Sequence, residues 1–175
     1  MITRPWLFAL TFLAFPPAGL LARAVVGPVD SIGSGLLAGA IVGAVVGAAQ
    51  WLALRPAVRA WWVPATAAAV AASLAITAGL GLVSTERGDL LAIGVVTGVL
   101  VGAVQGLLIP AGLRLAWGAA VAVLWPAAWQ VTAAVGVDLT QGWAVFGASG
   151  AVAFSVCLAV LLAVAGRRTA SAVTA

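Results

Sequence analysis

Six stretches of this chain, residues 6–26, 33–54, 61–83, 90–113, 116–137 and 142–166, run for 18 or more residues and together hold a single charge, Arg23. An apolar run of that length crosses the hydrocarbon core of a bilayer as a helix, at about 1.5 Å of rise per residue. None of the six alternates polar and apolar residues with a period of two. An open sheet would also leave its edge N–H and C=O groups unsatisfied in lipid. The expected fold is therefore an all-α integral membrane protein with six transmembrane helices. Composition agrees, with 65% hydrophobic and 7% charged residues, against about 25% charged in soluble domains. A soluble fold this poor in charge would expose apolar surface throughout and aggregate.

The breaks between the runs carry nearly all the charge, and they alternate. One set holds Arg4, Arg55, Arg59, Arg114, Arg167 and Arg168 and no acid; the other holds Asp30, Glu86, Arg87, Asp89 and Asp138. Arginine-rich short loops stay cytoplasmic, so both termini are expected inside. Trp6, Trp51, Trp61, Trp62 and Trp117 flank the arginine side and Trp143 the acidic side, where indoles favour the headgroup boundary. Trp125 and Trp129 lie deeper in the fifth run. Residues 1–24 also fit a secretory signal, with Ala22-Arg23-Ala24 as a small-x-small cleavage site. Retention is expected, because the segment fills the place of a repeat unit. The net charge of +4 comes from dispersed arginines without a basic face, so no nucleic-acid partner is expected. Cys157, the single cysteine, reads as a small packing residue.

Residues 39 to 55 read GAIVGAVVGAAQWLALR, with glycine at every fourth position. At one constant offset, Gly39, Gly43, Gly47 and Gln50 superimpose on Gly94, Gly98, Gly102 and Gln105. The sixth run continues the series as Gly147, Ala151 and Ser155, with Leu158 in place of the glutamine. The odd-numbered runs match more loosely, each opening near a tryptophan that follows an arginine. The chain thus reads as three two-helix hairpins, 1–55, 56–114 and 115–168, with a short cytoplasmic tail at 169–175. Units with an even number of spans share one orientation, so their pseudo-symmetry axis runs along the membrane normal. Lipid tails are as apolar as leucine, so membrane helices associate through close backbone approach. Residues four apart line one helix face. The nine ladder positions are therefore expected to be packing surfaces, facing one another or the adjacent odd helices. Ala67, Ala71, Ala75 and Gly79 offer a matching small stripe on the third run. Val46 is expected to face lipid.

The segment GAVVGAAQWLALR, with tryptophans after a short arginine loop, resembles a repeated element in uncharacterised bacterial multi-span membrane proteins. The resemblance covers the second to fifth runs. The second copy departs from it at Gly106, where the tryptophan is missing, and at Pro110. It implies a bacterial inner-membrane location and no known activity.

Burying an ionisable group in a membrane is costly, so catalytic and ion-coupled sites show themselves by such groups. No Asp, Glu, Lys or His lies within any run. Metal ligands, a Schiff-base lysine and a histidine base are all missing. No enzyme activity, cofactor or metal is expected. Arg23, about one turn from the acidic end, is expected to snorkel to water and pair with Asp30, the alternative being a ligand or partner contact. Gln50 and Gln105 beside the ladders read as hydrogen-bonding glue between helices. Trp125, Trp129 and Gln130 around Pro126 form the best candidate ligand cluster. Two functions remain: a non-enzymatic scaffold or accessory subunit, partnered by the bilayer and by other membrane chains or copies of itself, or a passive channel or substrate-binding membrane subunit for a small neutral solute, with a path lined by Gln50, Gln105 and Gln130.

Overall fold

The computed structural model describes residues 5–83, 86–136 and 143–173, with side chains as far as Arg167. Arg4, Asp138 and the side chain of Arg168 lie outside the described residues, as does the tail beyond 173. The described chain forms α1 (Trp6–Val26), α2 (Ile32–Leu54), α3 (Trp62–Gly79), α4 (Arg87–Leu108), α5 (Arg114–Ala134) and α6 (Ala148–Val173). All six are long and apolar enough to cross a membrane. The described residues are all-α, and six such helices suit a multi-pass membrane protein.

Local chemistry sets the ends. α2 opens on a capping box: the Ser31 hydroxyl accepts from the Ser34 N–H, and the Ser34 hydroxyl accepts from the Ser31 N–H, which satisfies two of the donors a helix start leaves free. At the acidic end, α1, α3 and α5 are each followed by a glycine with positive φ, namely Gly27 at 88°, Gly81 at 74° and Gly136 at 80°. A Cβ would be strained in that conformation. This is why α3 stops at Gly79 although apolar residues continue to 83. Within α1, residues Leu10–Ala14 tighten into a 3-10 turn immediately before Pro16 and Pro17. Neither proline can donate a backbone hydrogen bond.

α6 starts at Ala148 rather than near 142. Residues 143–147 are not helical, yet Ala144, Val145 and Phe146 are buried. Irregular backbone is tolerated at membrane depth where protein covers it. Hydropathy could not separate this segment from the helix, since both are apolar.

Each helix packs on its neighbours in sequence, and α6 also packs on α1, which closes a ring. The closest hairpins are α2/α3 and α4/α5, joined at the arginine end. They straddle the boundaries at 55/56 and 114/115 that the sequence pattern placed between units. A Cβ added at Gly39 would lie 2.6 Å from Ala71 Cα, and one at Gly43 would lie 2.6 Å from Ala67 Cα. At Gly47 it would meet Val63 Cα at 3.4 Å and Thr66 Cβ at 3.1 Å. The second hairpin repeats this register. A Cβ added at Gly94 would lie 2.5 Å from Pro126 Cα, one at Gly98 2.9 Å from the Ala122 carbonyl oxygen, and one at Gly102 2.6 Å from the Gly118 carbonyl oxygen. Backbones touch along both seams, and a side chain on Gly39, Gly43, Gly94, Gly98 or Gly102 would force them apart. The ladders therefore face the odd helix that follows. Ala67 and Ala71 meet Gly43 and Gly39, Ala75 lies against Gly35, and Gly79 lies against Ile32.

The third ladder behaves differently. Ser155 is fully buried and its hydroxyl lies 3.2 Å from that of Thr11 on α1. Ala151 is buried as well. Gly147 is only half-buried and lies before the helix, its N–H donating to Thr132 Oγ1 at 3.1 Å. The close-approach glycine of α6 is Gly150, whose added Cβ would collide with the Ala128 carbonyl of α5. Val46 is buried, so it does not face lipid. Val99, Leu36 and Leu115 do lie on the outside.

Candidate polar centre

The antiparallel seams bring the last turns of α2 and α4 beside the first turns of α3 and α5. Gln50 therefore meets Trp62, and Gln105 meets Trp117. The Trp62 indole N–H donates to Gln50 Oε1 at 3.3 Å, and the Trp117 indole N–H donates to Gln105 Oε1 at 3.1 Å. The two bonds span the same 12 residues of chain. Gln105 Nε2 then reaches across the ring, donating to Gln50 Oε1 at 2.8 Å and to Thr66 Oγ1 at 3.0 Å. Both glutamines are 0% exposed. Around them, Trp62 and Trp117 meet edge to face with centroids 5.8 Å apart, and Phe8 of α1 meets Trp117 in the same way at 5.3 Å. Leu158 of α6 is also fully buried.

Trp62 and Trp117 are thus interior residues and not interfacial anchors, and their N–H groups bind amides instead of headgroups. Trp6 and Trp61 are exposed, as an anchor requires, and Trp51 lies half-buried with the Arg55 guanidinium 5.0 Å from its ring centroid.

The cluster expected around Pro126 separates. Trp125 and Trp129 are buried among Phe15, Phe146 and Phe154. Phe146 stacks on Phe15 at 4.9 Å and takes Trp125 edge-on at 5.3 Å. Gln130 is only half-buried and donates to the Arg87 carbonyl at 3.2 Å, which ties α5 to the start of α4 at the acidic end. It joins neither the tryptophans nor the other two glutamines. Pro126 is pressed into the gap left by Gly94. Nearby, a cavity of 220 Å³ lies between α1 and the 143–147 segment, lined by Phe15, Pro16, Gly19, Leu20, Trp143 and Val145 among others. Its walls are apolar.

Arg23 is half-buried and curls toward the end of α1, its Nη1 3.6 Å from where a Gly27 Cβ would stand. It snorkels but does not pair with Asp30, which instead accepts from the Ser34 hydroxyl at 3.2 Å. Cys157 is exposed on the outer face of α6 and is not a packing residue. Among the described residues no group of His, Cys, Asp and Glu could hold a metal ion.

One polar atom of the centre is left over. Gln50 Nε2 is buried and without a partner. Flipping the amide would not help, because Nε2 would then face two donors, Trp62 Nε1 and Gln105 Nε2. Thr97 Oγ1 and Ser149 Oγ are also buried without partners, outside this centre. The pairing of each glutamine with a tryptophan could have been read from the sequence, since both copies keep the same separation. Gly150 and the buried 143–147 segment left no such signal. Comparison of the chain with protein-family models, curated proteins and solved structures finds no match.

Proposed function

We propose that this protein is a non-enzymatic integral membrane scaffold or accessory subunit of a bacterial inner membrane, with both termini cytoplasmic. It is built from three pseudo-repeated hairpins whose units are cut differently from the sequence pattern: α2/α3, α4/α5 and α6/α1. The shared seam register and the shared Gln–Trp bond support the first two units. The Ser155–Thr11 contact supports the third, since Ser155 stands in line with Gly47 and Gly102, and Gly47 faces Thr66. In the third unit Leu158 takes the place of the glutamine, and the offset that brings Thr11 onto Thr66 brings Leu7 onto Trp62, while the buried Phe8 is the residue that meets Trp117. Donor and acceptor are thus replaced together, which leaves neither orphaned.

The observation that carries the reading is the state of the centre. A water-lined path would leave Gln50 and Gln105 accessible, yet both are wholly buried and bonded to each other and to two indoles. The two complete glycine ladders are used within the chain. Association with other chains must therefore use the outer face. Gentle detergent extraction followed by identification of co-purifying chains tests the proposal: constant partners, or a stable oligomer of this chain, support it. Flux of a small neutral solute in liposomes containing the purified protein alone would replace it with the channel.

A further inference from the structure

We infer that Gln50, Gln105 and Leu158 are the three places of one interrupted amide ring, and that the Gln50 amide holds a single buried water at the third place. The inference rests on the permuted three-hairpin reading above. Gln105 Nε2 donates to the glutamine oxygen and to the threonine of the α2/α3 unit, Gln50 Oε1 and Thr66 Oγ1. The same step taken from α2/α3 to α6/α1 aims Gln50 Nε2 at residue 158 and Thr11. Residue 158 is leucine and accepts nothing. The unpartnered state of Gln50 Nε2 is what this geometry produces, and the amide cannot flip to escape it.

The chemistry of the place selects its occupant. It offers an N–H donor and, from α1 and α6, the buried hydroxyls of Thr11 and Ser155, which bond each other at 3.2 Å. A buried water makes about three hydrogen bonds, and its share of liquid volume is about 30 Å³. At this level α1 contributes the buried phenyl ring of Phe8, which is smaller than the indoles of Trp62 and Trp117. A larger or charged ligand has no route to a level closed by Trp62, Trp117 and Phe8, all buried. The occupant is therefore one neutral acceptor the size of water.

The test is side-chain amide NMR of the ¹⁵N-labelled full-length protein in detergent micelles, with the Gln50 signal assigned by its loss in Gln50→Leu. A persistent cross-peak to water is expected at the Gln50 amide and not at Gln105, whose Nε2 has two protein acceptors. In Leu158→Gln the introduced amide oxygen replaces the water, so the cross-peak disappears. Leu158→Gln should also lower the melting temperature less in the wild-type background than in Gln50→Leu, where the introduced amide has no donor to meet. Absence of a water cross-peak at Gln50, its survival in Leu158→Gln, or equal losses of melting temperature in the two backgrounds would each overturn the inference. If Leu158→Gln does not fold, the wild-type cross-peak still decides. Failure of the three-hairpin reading gives a different result: Phe8→Trp/Leu158→Gln would be no more stable than Leu158→Gln alone.

Discussion

At the scale of single residues, the centre is governed by one fact: a polar group inside a membrane protein must find its partner in the protein or in a buried water. Gln50 Oε1 serves two donors and Gln105 Oε1 serves one. Gln50→Leu orphans the Trp62 N–H, and Gln105→Leu orphans the Trp117 N–H. Each should destabilise by about 1–3 kcal/mol, the cost of a buried unsatisfied donor. The double variant should fall short of the sum by about 0.6 kcal/mol, because the shared glutamine–glutamine bond is lost once. Thermal unfolding of the four proteins in one detergent measures this cycle. A second expectation follows from the proposed third unit, where Leu158 and Phe8 bring neither an amide nor an indole. Trp117→Phe should cost less in the Gln105→Leu background than in wild type, because the N–H it removes is by then unpaired. The glutamines were legible as helix glue in the sequence, while the place of Trp62 left one sign only, the separation of 12 residues that both copies share. Trp61 and Trp62 sit at the same depth, yet one is 72% exposed and the other 1%. A step of about 100° around the helix decides between lipid and core, and depth alone does not reveal it.

At the scale of elements, the seams are set by glycine spaced four apart, and their period was fully visible in the sequence. Their partner was not, since a ladder facing its own kind and a ladder facing alanine have the same pattern. The structure decides for the next odd helix, with Ala67 and Ala71 on α3, and Ala122 and Pro126 on α5. Gly43→Leu and Gly98→Leu should each lower folded yield and stability by more than the roughly 1–3 kcal/mol of ordinary core overpacking. At both places the added Cβ alone would meet backbone atoms within 3.0 Å. Val99→Leu, on the outer face of α4, and Gly33→Ala, with open space beside it, should change little. Size-exclusion profiles and melting curves compare the four, and equal behaviour would reduce the ladders to composition. The sixth helix shows the limit of pattern reading. Gly147 continues the sequence series, but α6 begins after it, and Gly150 makes the close approach to α5. An apolar segment that is buried without being helical looks, in sequence, like more helix.

At the scale of the whole molecule, antiparallel helices sort the charges to two ends. Arg55, Arg59, Arg114 and Arg167 lie at one, and Asp30, Glu86, Arg87 and Asp89 at the other. The fold explains this sorting for any orientation in the bilayer; only the excess of arginine at one end chooses between the two. Positive charge in short loops is held on the cytoplasmic side, and four arginines against one is a strong bias. The arginine end should therefore be cytoplasmic. Gly33, Gly88 and Gly112 have open space where a Cβ would stand, and Ala60 is exposed, so each accepts a cysteine without disturbing a seam. In a Cys157→Ser background, Gly33→Cys and Gly88→Cys should react with an impermeant thiol reagent added to intact spheroplasts. Ala60→Cys and Gly112→Cys should react only after the membrane is opened. Reversal of the two classes would place both ends of the chain outside and require the acidic end to face the cytoplasm. A mixture within either class would break the six-span topology itself, because all six helices must cross for the charges to sort as they do.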